Sequence, residues 1–240
     1  MKQIKVHILL ALLLCSLSNA QEDASSKCRH MLMLVVAKYA KLSQGLSATE
    51  SKSFTMSMRS EPRKGKVQES KLEVMVSQGL FVAKNPDMLS ISDTMYSFTM
   101  VKATKVLVRS KSQFAKLSDS TFVGVSQKML DQISKFECAE IVYEGAFCQK
   151  IICTPNEDLA KEGNIERIEY LIDKAGTRII SSSIVYNTLS PIKSTVVKYT
   201  PIVQGTKPVE YGTSAQSYFF KDSKTLKDRF LGYKFFDNKK

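Results

Sequence analysis

The chain has 240 residues, 35 Lys and Arg against 23 Asp and Glu, a formal net charge of +12 and no Trp. That length suits one domain with a large core or two small ones, and no stretch beyond residue 20 approaches the roughly 18 continuous apolar residues of a membrane-spanning helix. The basic residues are spread along the chain, with small clusters at Arg63–Lys66 and Lys239–Lys240. They read as a solvated surface able to meet lipid phosphates or acidic polymers, and they lack the aromatic interleaving of a nucleic-acid site.

The first element is a targeting segment. "MKQIKVHILLALLLCSLSNA" has Lys2 and Lys5, an apolar run from Ile8 to Leu14, and a small-residue end before Gln21. This layout predicts a signal peptide over residues 1–20, cleaved between Ala20 and Gln21, and a mature domain over 21–240 outside the cytoplasm. Cys15 follows Leu14, where a lipid-modified N-terminal cysteine expects a small residue.

Residues 28–45 predict an amphipathic helix. Leu32, Val35, Tyr39 and Leu42 recur at the spacing of one helical face, and Gly45 is the terminator. Strands are then predicted over 52–60, 70–84, 87–92, 95–101 and 104–110, with turns at "EPRKGK", "KNPD" and "KATK". The segment "SFTM" occurs in two of them, at Ser53–Met56 and Ser97–Met100. In each copy every second residue is large and apolar: Phe54, Met56 and Met58 in the first, Tyr96, Phe98 and Met100 in the second. A period of two marks a strand with one dry face. Met in place of Val or Ile suits a surface that must fit variable shapes.

Over 119–136 the period changes. Phe122, Val125, Met129, Ile133 and Phe136 lie on one helical stripe, with Asp119 or Ser120 as the N-cap. Strands resume with a hairpin about Glu144-Gly145, a second from "NIERIEYLID" through "KAGT" to "RIISSSIVYN", and "STVVKYTPIV"; the tail from Tyr218 is aromatic. Many short strands plus two helices predict an α+β, mainly β, chain: a curled antiparallel sheet with helices on its concave side, enclosing an apolar space that is either a ligand site or an ordinary filled core.

Four cysteines remain after cleavage, which permits disulfides in three connectivities. A four-residue hairpin loop over Glu144–Phe147 would set Cys138 directly across from Cys153, whereas a two-residue loop would set them diagonally. The first arrangement predicts a Cys138–Cys153 bridge, and the alternative is buried free thiols. Chemistry is otherwise sparse. The chain has no Gly-rich phosphate loop, no G-x-S-x-G and no H-E-x-x-H. A carboxylate pair could be drawn from Glu140, Glu144, Glu166 and Glu169, but these fall on turns or polar strand positions, where solvated charges are the usual content. His30 alone remains after cleavage, so no metal, no cofactor and no enzymatic activity are expected.

The order of these elements, with "GLFVAKNPDMLSI", the hairpin "IEYLIDKAGTRIISSSIVY" and the ending "LGYKFFDN", resembles the periplasmic lipoprotein carriers of the LolA family and their Bacteroidota relatives. Two positions depart from the family pattern: Asn85, beside Lys84, stands where those proteins have Arg before Pro, and the stretch leading to a Trp is missing. The resemblance implies an incomplete barrel whose concave side takes acyl chains under helical lids. On that basis Phe54, Met56, Met58, Tyr96, Phe98 and Met100 are expected to line one cavity for lipid or lipoprotein acyl chains, with the 119–136 helix as lid. The protein would be a monomeric periplasmic carrier in peripheral contact with membranes and an envelope protein partner. The competing expectation is a secreted structural or protein-interaction module on the same fold with a filled core.

Overall fold

The computed structural model describes residues 24–39, 41–112, 127–222 and 224–238. The predicted signal peptide, its Ala20–Gln21 cleavage site and residues 119–126 of the predicted lid, with Phe122 and Val125, lie outside the described residues.

Helix α1 (24–39) buries Cys28, Leu32, Val35 and Tyr39 along one side, the spacing that the sequence predicts. Residues 41–45 form turns ending at Gly45, whose φ of +73° suits glycine. Six strands follow: β1 (Glu50–Pro62), β2 (Gln68–Ser77), β3 (Leu80–Lys84), β4 (Met88–Asp93), β5 (Tyr96–Val101) and β6 (Val106–Lys111). The strand predicted over 70–84 is therefore a hairpin. Ser77 pairs with Leu80, and the chain reverses at Gly79 with φ +68°. Apolar alternation continues through this turn, which hides it from periodicity alone.

The second half runs through α2 (Gln127–Leu130), β7 (Ile133–Tyr143), β8 (Ala146–Pro155), α3 (Glu157–Gly163), β9 (Ile165–Asp173), β10 (Ile179–Tyr186) and β11 (Ile192–Tyr199). It ends with β12 (Val203–Thr206), α4 (Ala215–Phe219) and β13 (Lys234–Asn238), with 3₁₀ turns at Val209–Tyr211 and Asp228–Phe230. The helix predicted to reach Phe136 is corrected here: Ile133 and Phe136 belong to β7. Phe136 is buried as an inward strand residue opposite Cys153.

One sheet runs in the order β13-β6-β5-β4-β3-β2-β1-β11-β10-β9-β8-β7, with β12 paired to the first half of β1. It is curled and unclosed, because β13 and β7 end the path. Pairing is antiparallel except between β13 and β6.

Both faces of this sheet carry a core. On one face α1 packs against Phe54, Val74, Phe81, Ile151, Tyr170 and Tyr199. On the other, Leu80, Val82, Ile91, Phe98, Met100 and Leu107 meet Tyr218, Phe219, Phe220 and Phe230 of the C-terminal segment. Strand β3 serves both, with Phe81 and Ala83 in the first layer and Leu80 and Val82 in the second. The second layer is largely aromatic, with Phe98 centred 5.3 Å from Phe219 and 5.8 Å from Phe220. Each such ring removed from water stabilises the fold by about 1.5–3 kcal/mol.

The disulfide joins Cys28 to Cys138, and Cys148 and Cys153 are free and buried. The expected Cys138–Cys153 bridge is thus wrong, for a local reason. The β7–β8 loop has two residues, Glu144 (φ +50°) and Gly145 (φ +80°), a pair of positive φ values that favours the tight hairpin. Tyr143 then pairs with Ala146, which sets Cys138 opposite Ile151 and Cys153 opposite Phe136. Cys138 shares the face of Ile151, the one α1 covers, and meets Cys28 there.

Candidate functional site: an uncharged apolar strip beside helix α1

The sequence expects both "SFTM" segments on one wall. The register divides them. Phe54 pairs with Val74, Val74 with Ala83, Ala83 with Ser90, and Ser90 with Thr99. Paired residues share a face, so Thr99 faces the same way as Phe54 while Phe98 and Met100 face the opposite way. Phe54, Met56 and Met58 stand on the α1 face. Tyr96, Phe98 and Met100 stand in the second layer, where Phe98 is fully buried, Met100 is buried and Tyr96 packs from the edge beneath Arg109. Three of the six residues are brought together, and three belong to the other core.

The three on the α1 face form a gradient. Phe54 lies in the core, edge-on to Tyr39 with ring centroids 6.1 Å apart. Met56 is half-buried against that core, and Met58 is 43% exposed. Around them Leu72, Val197, Ile184, Met31 and Met129 are also half-buried and packed against the same core. The adjacent outer side of α1 exposes Met33 and Leu34. The rows crossing the strip read Leu72, Met56, Tyr199; then Ser70, Met58, Val197, Ser182, Tyr170; then Gln68, Ser60, Thr195, Ile184, Ile168. None of these positions carries a charge.

Two pairs of its polar groups satisfy each other. Ser182 and Tyr199 share a hydrogen bond of 3.0 Å, and Ser60 and Thr195 share one of 3.2 Å. Burial pushes the Tyr199 phenol up to about 12 and raises Tyr170 well above its ordinary value, so the strip stays neutral across the physiological range. A neutral surface that sets Met56, Met58, Val197 and Ile184 among uncharged Ser, Thr and Gln side chains can hold hydrocarbon.

The candidate carboxylates do not converge. Glu169 is held between Arg167 and Lys150 on the outer face, Glu166 pairs with Arg167, and Glu144 pairs with Lys198. Glu140 pairs in register with Gln149 and so faces the α1 side, opposite to Glu169. Among the described residues no group of three His, Cys, Asp or Glu side chains could hold a metal ion, and no helix is long and apolar enough to cross a membrane.

The strip residues that periodicity missed are Leu72, Ile184, Val197 and Met31. Ile184 and Val197 each stand beside another apolar residue, Val185 and Val196, so alternation does not say which of the two faces α1. Met31 sits beside the buried stripe of α1 at a position that only packing assigns.

No family model and no curated protein matches the chain. Among solved structures it is similar to an uncharacterised conserved protein from Thermus thermophilus, at 9% identity and TM-score 0.43, over 80% of this chain and 94% of that one. It is similar also to a domain described as an outer membrane lipoprotein-sorting protein from Vibrio parahaemolyticus, at 13% identity and TM-score 0.34, over 81% and 99%. A LolA superfamily protein from Nitrosomonas europaea is a third, at 6% identity and TM-score 0.31, over 76% and 97%. These are likenesses of fold, and at such scores they carry no argument about what this chain binds.

Proposed function

We propose that the protein is an exported, periplasmic, non-enzymatic binder and carrier of lipid or lipoprotein acyl chains, held on the α1 face. The observation that supports this reading is the uncharged strip around Met56 and Met58, apolar and only half covered. Phe54 is its floor rather than its lining, and Tyr96, Phe98 and Met100 take no part. An acyl chain contributes about 0.8 kcal/mol per buried methylene, and flexible methionine contacts adapt to chains of different shape. Handover to an envelope partner is then a competition for the same hydrocarbon.

The second reading, an envelope interaction module with a solid interior, is favoured by the depth to which α1 fills its face: Leu32 and Val35 are completely buried. Titration of delipidated protein with a fluorescent fatty acid separates the two. Saturable binding is expected, weakened at least about tenfold by Met58→Asp, since a charge among methylenes costs more than about 1.4 kcal/mol. The exposed position of Met58 leaves thermal unfolding unchanged. No saturable binding, or a Met58→Asp variant that binds as tightly as the parent, would overturn the carrier reading in favour of the module.

A further inference from the structure

A second concavity lies on the opposite face of the sheet, at the margin of the second core, which lends it Val82 and Tyr211. Because Phe54 faces α1, its neighbours Ser53 and Thr55 face outward, paired with Met75 and Glu73 of β2, which pair in turn with Val82 and Lys84 of β3. Beside this floor the chain leaves β11 at Tyr199, breaks pairing over residues 200–202, continues in the same direction along β1 as β12 and enters the 3₁₀ turn carrying Glu210 and Tyr211. The floor and the adjoining chain line an open pocket of about 380 Å³, within the range of about 300–1,000 Å³ for small-ligand sites.

Its chemistry differs from that of the methionine strip. Among the described residues the Ser53 and Thr55 hydroxyls make no hydrogen bond, and Thr200 Oγ1, which accepts from the Thr55 amide at 2.8 Å, keeps its own proton to donate. Glu73 and Lys84 form an ion pair of 3.3 Å on the floor, and Glu210 stands on the wall. Burial, then the neighbouring Glu210, push the Tyr211 phenol up to about 12, and the neutral hydroxyl donates to the Glu210 carboxylate. Met75, Val82, Pro201 and Val203 supply an apolar side.

We propose that this pocket binds a neutral saccharide of one or two sugar units. Its lining holds both donors and acceptors, as a ligand whose every hydroxyl both donates and accepts requires. The apolar side accommodates the C–H face of a sugar ring. An anion would meet Glu73 and Glu210, the Lys84 charge is already paired with Glu73, and a hydrocarbon chain would leave the hydroxyls unpaired.

Two arms test this on the full chain. In one, amide NMR spectra are recorded during titration with glucose, galactose, N-acetylglucosamine and cellobiose. In the other, the protein is sedimented with insoluble cellulose and chitin. Saturable shifts at Thr55, Glu73 and Tyr211, unaffected by added fatty acid, are expected; binding in the first arm alone identifies free sugar, and in the second alone a polymer. Glu210→Gln, an exposed change on the turn, should weaken binding about tenfold, the worth of one charge-assisted hydrogen bond. Ser53→Trp, which fills the pocket from an exposed strand position, should abolish it. No saturable shift and no sedimentation in either arm, or unchanged binding in a Ser53→Trp protein with a native spectrum, would overturn the proposal whatever the fatty-acid result.

Discussion

Asp173 closes the turn from β9 to β10. Its carboxylate accepts from the backbone amides of Thr177 (2.6 Å) and Arg178 (3.0 Å) and from the Thr177 hydroxyl. Partial burial works to raise this carboxyl, but the hydrogen bonds outweigh it and hold the group below its ordinary 3.8. A depressed folded value means that stability is fully present above the unfolded value and is lost as pH falls through the folded one. Urea unfolding followed from neutral pH to pH about 2 should therefore show a loss below pH about 4 that Asp173→Ala lacks. The variant should be about 1.5–3 kcal/mol less stable at neutral pH, the worth of hydrogen bonds to a charged acceptor. Equal pH slopes for the two proteins would show that the turn is held by other means. At this scale the sequence was partly legible. Leu32, Val35 and Tyr39 announce their burial by spacing, but whether Phe98 shares a wall with Phe54 depends on how many strands, and in what register, lie between them.

Helix α1 is the element whose placement depends most on a distant residue. Its apolar stripe is visible in the sequence; its anchoring through Cys28 to Cys138, 110 positions away, is not, because the sequence does not reveal which strand the helix crosses. A bridge closing so long a loop stabilises by about 4–5 kcal/mol on the chain-entropy account. Reduction, or Cys28→Ser, should lower the unfolding free energy by about that amount, read as a shift in denaturant midpoint. A Cys153→Ser control keeps the bridge, and burial already holds the Cys153 thiol up to about 12, out of reach of exchange. A midpoint indifferent to reduction would place α1's hold on the sheet entirely in Leu32, Val35 and Tyr39. The β2–β3 break and the strand start at Ile133 were illegible for another reason: apolar residues satisfied both periods there, and only pairing with a neighbour decides between them.

Taken whole, the molecule is a single sheet with a different cover on each side. The C-terminal segment is joined to that sheet by three kinds of contact: the aromatic layer around Phe219, the Asp93 carboxylate accepting from the Ala215 amide at 2.8 Å, and the paired Arg109 and Asp237. Removing residues 209–238 should uncover Phe98, Met100 and Leu107 and leave the β6 edge unpaired. The expected outcome is strong binding of an apolar dye and self-association on gel filtration, with the helical circular-dichroism signal of α1 kept. A truncated chain that stayed monomeric and dye-free would show that the second layer is dispensable. Composition and periodicity foretold a curled antiparallel sheet. They could not foretell that its aromatic tail would cover the outer side, because aromatic residues in a tail fit either side equally well.

The parallel strand β13 has a further consequence in time. Its Asp237 lies 128 positions after the Arg109 it pairs with, and at about 5–20 residues per second a ribosome needs roughly 6–26 s to make the intervening chain. Throughout that interval β6 offers a row of bare amides and carbonyls to any passing nascent chain. A holding chaperone that masks Val106–Lys111 until the later strand emerges would suit this interval.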